Sequence, residues 1–165
     1  MFNNLESEFR KYCINNNLET NNNQITVVKK LENYYNNNFK SFFSKFFSNN
    51  SEQKAFYLFG GVGVGKTMIL NFFFDQIRVK KIRKHFNEFM INFHDFAYTQ
   101  KDKKEENIIN LFVKDLKSKA LLIYFDEFQV TNIVDAMILG KLFDKIFSEN
   151  IKIIVTSNIQ ISDLY

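Results

Sequence analysis

The stretch that most narrows what this chain can fold into is Phe56-Tyr57-Leu58-Phe59-Gly60-Gly61-Val62-Gly63-Val64-Gly65-Lys66-Thr67. A short apolar run stops at a glycine, the glycines recur, and a Lys-Thr pair opens a segment of helical character. Gly60, Gly65, Lys66 and Thr67 fill the fixed places of the pattern G-x-x-x-x-G-K-[ST], which marks a phosphate-binding loop. The pattern has a geometric cause. Backbone N–H groups must converge on one small concavity, through backbone angles that side chains obstruct. The helix that follows turns the N–H groups of its first turn towards the same point, so an anion is stabilised there. Gly60, Gly61, Val62, Gly63, Val64, Gly65, Lys66, Thr67 and Met68 are therefore the expected nucleotide cradle. Lys66 is expected to reach the β- and γ-phosphates of ATP, and the Thr67 hydroxyl to ligate Mg²⁺. A ligand-free glycine turn is the plainer alternative, but it has no use for the Lys66-Thr67 pair.

Composition permits this reading without directing it. At 165 residues the chain can bury a sizeable core. Phe, Asn and Lys are heavily used while Pro and Trp are absent, a bias that A/T-rich codons explain better than any physical demand. The net charge of +4 is mild. The basic residues cluster only in Arg78-Val79-Lys80-Lys81-Ile82-Arg83-Lys84, which reads as a solvated turn between a helix and a strand sooner than as a nucleic-acid patch. A single cysteine, Cys13, allows no internal disulfide and suits a reducing compartment. Residues 1–6 have neither the basic start nor the apolar core of a signal peptide, and no apolar run approaches the length of a membrane span. A soluble intracellular protein is the expectation.

Taken in order, residues 1–50 read as an accessory helical segment and residues 51–165 as a nucleotide-binding core. Leu5, Phe9, Tyr12 and Cys13 recur at helical spacing until Asn15-Asn16-Asn17 breaks the pattern. A second helix is expected over residues 25–35, and a third, aromatic one over residues 42–47 that packs on the core in preference to a membrane surface. From residue 54 onward, short apolar runs alternate with helical patterns, the signature of an α/β domain with a parallel sheet. Strands are expected at 55–59, 83–86, 120–125 and 152–156. Asn87 is the expected N-cap of the helix through Phe89, Met90, Phe93 and His94, and residues 101–106 a charged turn.

The third strand ends in Leu121-Leu122-Ile123-Tyr124-Phe125-Asp126-Glu127. Two acids after an apolar parallel strand suit the site opposite a phosphate loop, because ligands in such sheets lie outside the carboxyl ends of the strands. Asp126 is expected in the Mg²⁺ shell and Glu127 beside the attacking water, where it would orient and polarise it. The second carboxylate points to hydrolysis rather than transfer to another acceptor. Asn158 follows the fourth strand at the same end, where a neutral amide can bond the water or the γ-phosphate. His85 and His94 lack partners at metal-ligand spacing and read as structural.

With these pieces placed, the chain resembles the ZapE group of AAA+ ATPases. The resemblance is carried by Gly60 to Met68, by His85-Phe86-Asn87-Glu88-Phe89-Met90, by Phe125-Asp126-Glu127-Phe128-Gln129-Val130-Thr131-Asn132-Ile133-Val134-Asp135-Ala136-Met137-Ile138-Leu139, and by Thr156-Ser157-Asn158. It implies a P-loop NTPase fold of AAA+ type, ATP and Mg²⁺ as ligands, Lys66 and Thr67 on nucleotide and metal, Asp126 and Glu127 on metal and water, and Asn158 as sensor. It also implies a homo-oligomer in full-length form and a protein partner, in bacterial cell division or in mitochondrial quality control of inner-membrane proteins. The bacterial cytoplasm, with membrane association left open, is the expected location and the mitochondrial matrix the alternative. Two positions depart from the pattern: Asn132 stands in place of Asp, and Ile161 in place of Pro. Relatives continue into a fifth strand, a helical lid and an arginine that completes a neighbour's site. The sequence ends at Tyr165 before them, so an incomplete enzyme with its first strand at the sheet edge is the expectation. A helicase-loader-like ATP switch on nucleic acid, a P-loop kinase and a binding-only fragment remain alternatives.

Overall fold

The computed structural model describes residues 4–39, 53–130 and 132–163. The expected aromatic helix over residues 42–47 lies outside them. Contacts divide the chain into two compact units, one of Met1–Phe56 with Gly63–Arg78 and one of Tyr57–Val62 with Val79–Tyr165. The N-terminal helices thus cluster with the segment that follows the glycine loop.

In the first unit, α1 (Leu5–Asn15), α2 (Asn22–Phe39) and α3 (Lys66–Gln76) pack through apolar stripes. Leu5, Phe9 and Cys13 of α1, Val28 and Leu31 of α2, and Leu70, Phe72 and Phe73 of α3 are buried. Phe9 meets Phe72 edge-on at 5.1 Å between centroids, an arrangement that aromatic quadrupoles favour. The start of α1 is capped locally. Asn4 accepts a hydrogen bond from the Ser7 N–H at 3.1 Å. The asparagine run that breaks α1 has a specific geometry. Asn17 takes a left-handed φ of 53°, the Leu18 N–H reaches the Cys13 carbonyl at 2.9 Å, and the Asn17 N–H reaches that of Ile14 at 3.2 Å. This is a Schellman stop built on asparagine, the residue after glycine best able to tolerate that conformation.

The second unit is built on a four-stranded sheet in the order β1-β4-β3-β2, so β1 is at an edge among the described residues. Its strands are β1 (Ala55–Phe59), β2 (Lys81–His85), β3 (Leu122–Asp126) and β4 (Lys152–Ser157). β2 runs parallel to β3, and β3 to β4. Every residue of β3 and β4 is buried, as near-continuous apolar runs in a central parallel sheet require. On one face, Ile123 and Phe125 of β3 join Phe89 and Phe93 of α4 (Phe86–Thr99), Phe112 and Val113 of α5 (Glu105–Lys119), and Leu142 and Ile146 of α6 (Ile133–Ser148) in one core. Phe89 packs on Phe125 at 4.7 Å and Phe93 on Phe112 at 5.2 Å. α6 ends as α1 does, with Asn150 at φ 58° and the Ile151 N–H on the Ile146 carbonyl at 3.1 Å.

Several local expectations shift. The second strand begins and ends earlier than residues 83–86, because Phe86 is drawn into α4 and buried at 2% exposure. His85, not Asn87, is therefore the N-cap of α4, and it makes no side-chain cap bond. The basic run at 78–84 is not all turn, since Lys81, Ile82, Arg83 and Lys84 pair with β3. Glu105 and Glu106, assigned to the charged turn, form the first turn of α5, where acids suit the positive end of the helix dipole. Asn132, the departure from the family pattern, caps α6 by accepting from the Val134 N–H at 2.8 Å. No helix among the described residues is long and apolar enough to cross a membrane.

Candidate functional site

The glycine loop is shared by the two units: Gly60, Gly61 and Val62 belong to the second, and Gly63 onward to the first. In the first unit, Gly63 and Gly65 adopt φ of 81° and 88°, angles at which a side chain is strained. Gly65 is the N-cap of α3 and has no side chain to close off the helix start. The Ile69 N–H makes the first intrahelical bond to the Gly65 carbonyl at 3.0 Å. Lys66, Thr67 and Met68 form the opening turn, with Thr67 exposed and Lys66 and Met68 half-buried. Val64 is 49% exposed, so the loop is open to solvent where a ligand would enter.

In the second unit, Gly60 leaves β1 with its N–H on the Ser157 carbonyl at 3.3 Å. Gly61 and Val62 follow, both exposed. That bond brings the carboxyl ends of β1 and β4 together. The parallel register of β3 and β4 puts Asp126 and Glu127 at the same end, and Asn158, exposed, follows Ser157 there. Thr156 organises the acids. Its Oγ donates to Asp126 Oδ1 at 2.7 Å and accepts from the Glu127 N–H at 3.3 Å, while its carbonyl accepts from the Phe128 N–H at 2.8 Å. Ser157 adds a bond to the Phe128 carbonyl at 2.7 Å. Arg83 donates to Asp126 Oδ2 and lies over the Tyr124 ring at 5.0 Å. Glu127 turns out of the strand with φ 54°, and its carboxylate is exposed, 3.7 Å from His85 Nδ1.

The electrostatics follow from these contacts. Burial pushes the Asp126 carboxyl up, yet the bonds from Thr156, Arg83 and Tyr124 outweigh it and hold the group below the usual carboxylate range. Burial raises the neighbouring Tyr124 phenol to about 12. Asp126 is therefore a fixed anion. The Mg²⁺ expected from the sequence takes oxygen ligands and keeps several waters, so one or two protein oxygens suffice beside phosphates. Within the second unit the ionised Asp126 carboxylate is such a donor, because its two oxygens keep lone-pair capacity beyond the bonds they accept from Thr156, Arg83 and Tyr124. The chemistry of Asp126 fits a place in such a shell. Among the described residues no cluster of three or more His, Cys, Asp or Glu could hold a metal without such help.

Three residues escaped the sequence reading. Arg83 looked like part of a solvated basic turn, and only its strand register against Tyr124 reveals its place beside Asp126. Thr156 stood in the resemblance without a role, although a hydroxyl beside a buried acid is a readable signal once β3 and β4 pair. Gln24 was placed just ahead of the second helix; it donates from Nε2 to the Val64 carbonyl at 3.3 Å. The pattern Asn21-x-x-Gln24 before Ile25 and Val28 could have found it, as a helix-start signature. His94 bonds Asp135 at 2.8 Å between α4 and α6, in keeping with a structural role.

The geometry has relatives. Residues 6–165 match the family described as AFG1-like ATPase. Lactation elevated protein 1 homolog B of Danio rerio is 34% identical over 122 residues, covering 68% of this chain and 24% of that protein. Cell division protein ZapE of Escherichia coli is 33% identical over 113 residues, covering 68% of this chain and 30% of that protein. The matched segment thus spans 24% to 30% of the length of these relatives. Among solved structures, the crystal structure of DnaI aligns with a TM-score of 0.55 at 18% identity, covering 90% of this chain and 73% of that one, a likeness of fold. Since the family match runs from Glu6 to the last residue, this chain belongs to the AFG1-like ATPase family.

Proposed function

We propose that this chain binds Mg-ATP in its glycine loop, hydrolyses it, and couples that cycle to remodelling a protein partner. Backbone N–H groups of residues 60–68 hold the phosphates, and the Lys66 ammonium neutralises charge on the β- and γ-phosphates. Thr67 and Asp126 would hold Mg²⁺, which would offset negative charge on the phosphates. Glu127 orients and polarises the attacking water, its exposed carboxylate being accessible to it. Asn158 senses the γ-phosphate through a neutral hydrogen bond. The observation that carries the reading is the convergence of strand ends in the second unit. Gly60 bonded to Ser157, and Asp126 bonded to Thr156, support it by lying with Glu127 and Asn158 at the carboxyl end of the sheet. By likeness to cell division protein ZapE the partner belongs to cell division. By the family resemblance of the sequence the alternative is membrane-protein quality control, the location is the bacterial cytoplasm or the mitochondrial matrix, and the full-length protein is a homo-oligomer.

The test is nucleotide binding by titration and by thermal shift. Mg-ATP should raise the melting temperature of the wild-type chain by mass action, and Lys66→Ala should remove that rise. Identical melting of both proteins with and without saturating Mg-ATP overturns the assignment.

A further inference from the structure

We propose that Gln24 is a positioning residue of the nucleotide loop, fixing the orientation of the Val64–Gly65 peptide from the start of α2. The inference rests on the ATP-binding reading given above.

Gln24 has two functions in its side-chain amide, and the contacts divide them cleanly. Its Oε1 accepts from the Asn21 N–H at 3.2 Å, while Asn21 Oδ1 accepts from the Gln24 N–H at 2.9 Å. That reciprocal pair is a capping box, which satisfies two donors that the helix start would otherwise leave without a partner. The carbonyl half of the amide is thereby occupied and the side chain is held in one rotamer. Its amino half is left pointing at the glycine loop, where Nε2 donates to the Val64 carbonyl at 3.3 Å, forty residues away in sequence. A Cβ added at Gly65 would stand 2.8 Å from the same nitrogen, so the loop passes close enough to Gln24 that any larger residue there would push the amide aside.

The consequence follows from peptide geometry. The Val64 C=O and the Gly65 N–H share one planar trans unit and point in opposite directions. A donor that fixes the carbonyl therefore fixes the N–H, turned away from Gln24. Without it, this peptide can rotate about the Val64 ψ and the φ of Gly65, which glycine leaves free, until a carbonyl oxygen replaces an N–H in the cradle. An oxygen there repels phosphate where a donor would bind it. Glycine gives the loop its shape, and Gln24 chooses which of the shapes open to glycine is occupied.

Three variants separate this role from helix capping. Gln24→Ala removes both contacts. Gln24→Glu keeps an acceptor for the Asn21 N–H and loses the donor to Val64. Asn21→Ala removes one arm of the cap and leaves the Val64 contact. Mg-ATP affinity is measured by titration, melting temperature by calorimetry, and amide hydrogen exchange over residues 63–67 in the nucleotide-free protein. Gln24→Ala and Gln24→Glu should each weaken Mg-ATP by about tenfold, the worth of one oriented hydrogen bond, and speed exchange of the loop amides several-fold. Asn21→Ala should lower the melting temperature while affinity and loop exchange stay within about twofold of wild type. The proposal is overturned if Asn21→Ala weakens binding as much as Gln24→Ala, or if Gln24→Ala leaves loop exchange unchanged. A wild-type chain that binds no Mg-ATP sinks the functional reading instead, and the exchange measurement still decides whether Gln24 holds the loop.

Discussion

The glycine loop and the acidic strand ends are held by opposite means. At the ends of β3 and β4, side chains do the holding: Asp126 receives bonds from Thr156 and Arg83, Thr156 also anchors Glu127, and Ser157 anchors Phe128. In the glycine loop the backbone does it, through two left-handed glycines and the amide of Gln24. The difference follows from what each half is expected to bind. A metal and a water need a fixed carboxylate, which a protein supplies by surrounding an acid with donors. A phosphate needs several N–H groups at close range, which side chains can only obstruct. Damage to the two halves should therefore look different, by loss of charge or bonding in one and by loss of backbone conformation in the other.

The sharpest division is expected inside the acidic half. Glu127 is exposed and turned out at φ 54°, whereas Asp126 is buried and triply engaged. If Glu127 activates water as proposed, Glu127→Gln in the full-length protein should lower ATP turnover by about 100-fold or more while leaving Mg-ATP affinity within a few-fold. Asp126→Asn should instead weaken Mg-ATP itself. Single-turnover hydrolysis alongside equilibrium binding distinguishes them, and equal losses of binding in both would erase the contrast.

Gly65→Val tests the backbone half. A β-branched residue at φ 88° is strained by about 1–3 kcal/mol, and its Cβ would displace the Gln24 amide. Mg-ATP affinity should fall by roughly 10- to 100-fold, with the loss of stability on the scale of that strain. If binding survives while the protein is merely destabilised, the loop conformation is not what holds the phosphates.

How much of this was readable beforehand tracks the same contrast. The glycine loop was legible almost residue by residue, since a backbone-built site must spend its sequence on glycine at set intervals. The strands and helices of the second unit followed from apolar spacing, with errors confined to their ends. Phe86 could belong to β2 or to α4, and tertiary burial against Phe125 and Phe128 decided for the helix. The side-chain-built half was legible only in its acids. Arg83 and Thr156 are separated from Asp126 by 43 and 30 residues, and no local pattern announces a partner that strand pairing alone creates. Asn17 and Asn150 taught the converse. In a chain saturated with asparagine, the two that end helices in left-handed turns were indistinguishable by composition from the rest.

Thr156→Val is the corresponding test of the side-chain network. It keeps the shape of the residue and removes the hydroxyl that serves Asp126 Oδ1 and the Glu127 N–H together. Leaving those buried groups without partners should cost about 1–3 kcal/mol of folding stability, measured by chemical denaturation. An unchanged midpoint would mean that Arg83 and Tyr124 suffice to hold Asp126.

The smallest expected effect is in acid, and its sign can be worked out. The folded Asp126 carboxyl sits below its ordinary value, so on acidification the unfolded chain takes up this proton first. Its stabilising contribution is complete above the unfolded value of about 3.9, and is lost progressively as pH falls below that towards the folded value. Glu6, Glu88 and Glu149 are also held low, by Lys29 and Arg10, by Lys84, and by Lys145 respectively, and they titrate over a neighbouring range. They are exposed surface pairs, however, and salt screens them far more than it screens a buried carboxylate. Denaturation midpoints between pH 5 and pH 3 in about 0.5 M salt should therefore isolate Asp126 from that background. Wild type should lose stability across this interval. Thr156→Val should lose less, because without the hydroxyl the folded and unfolded values lie closer together. Parallel curves for the two proteins would show that the Thr156 bond does not favour the ionised acid, and that the contrast between a side-chain-held and a backbone-held half has been drawn too sharply.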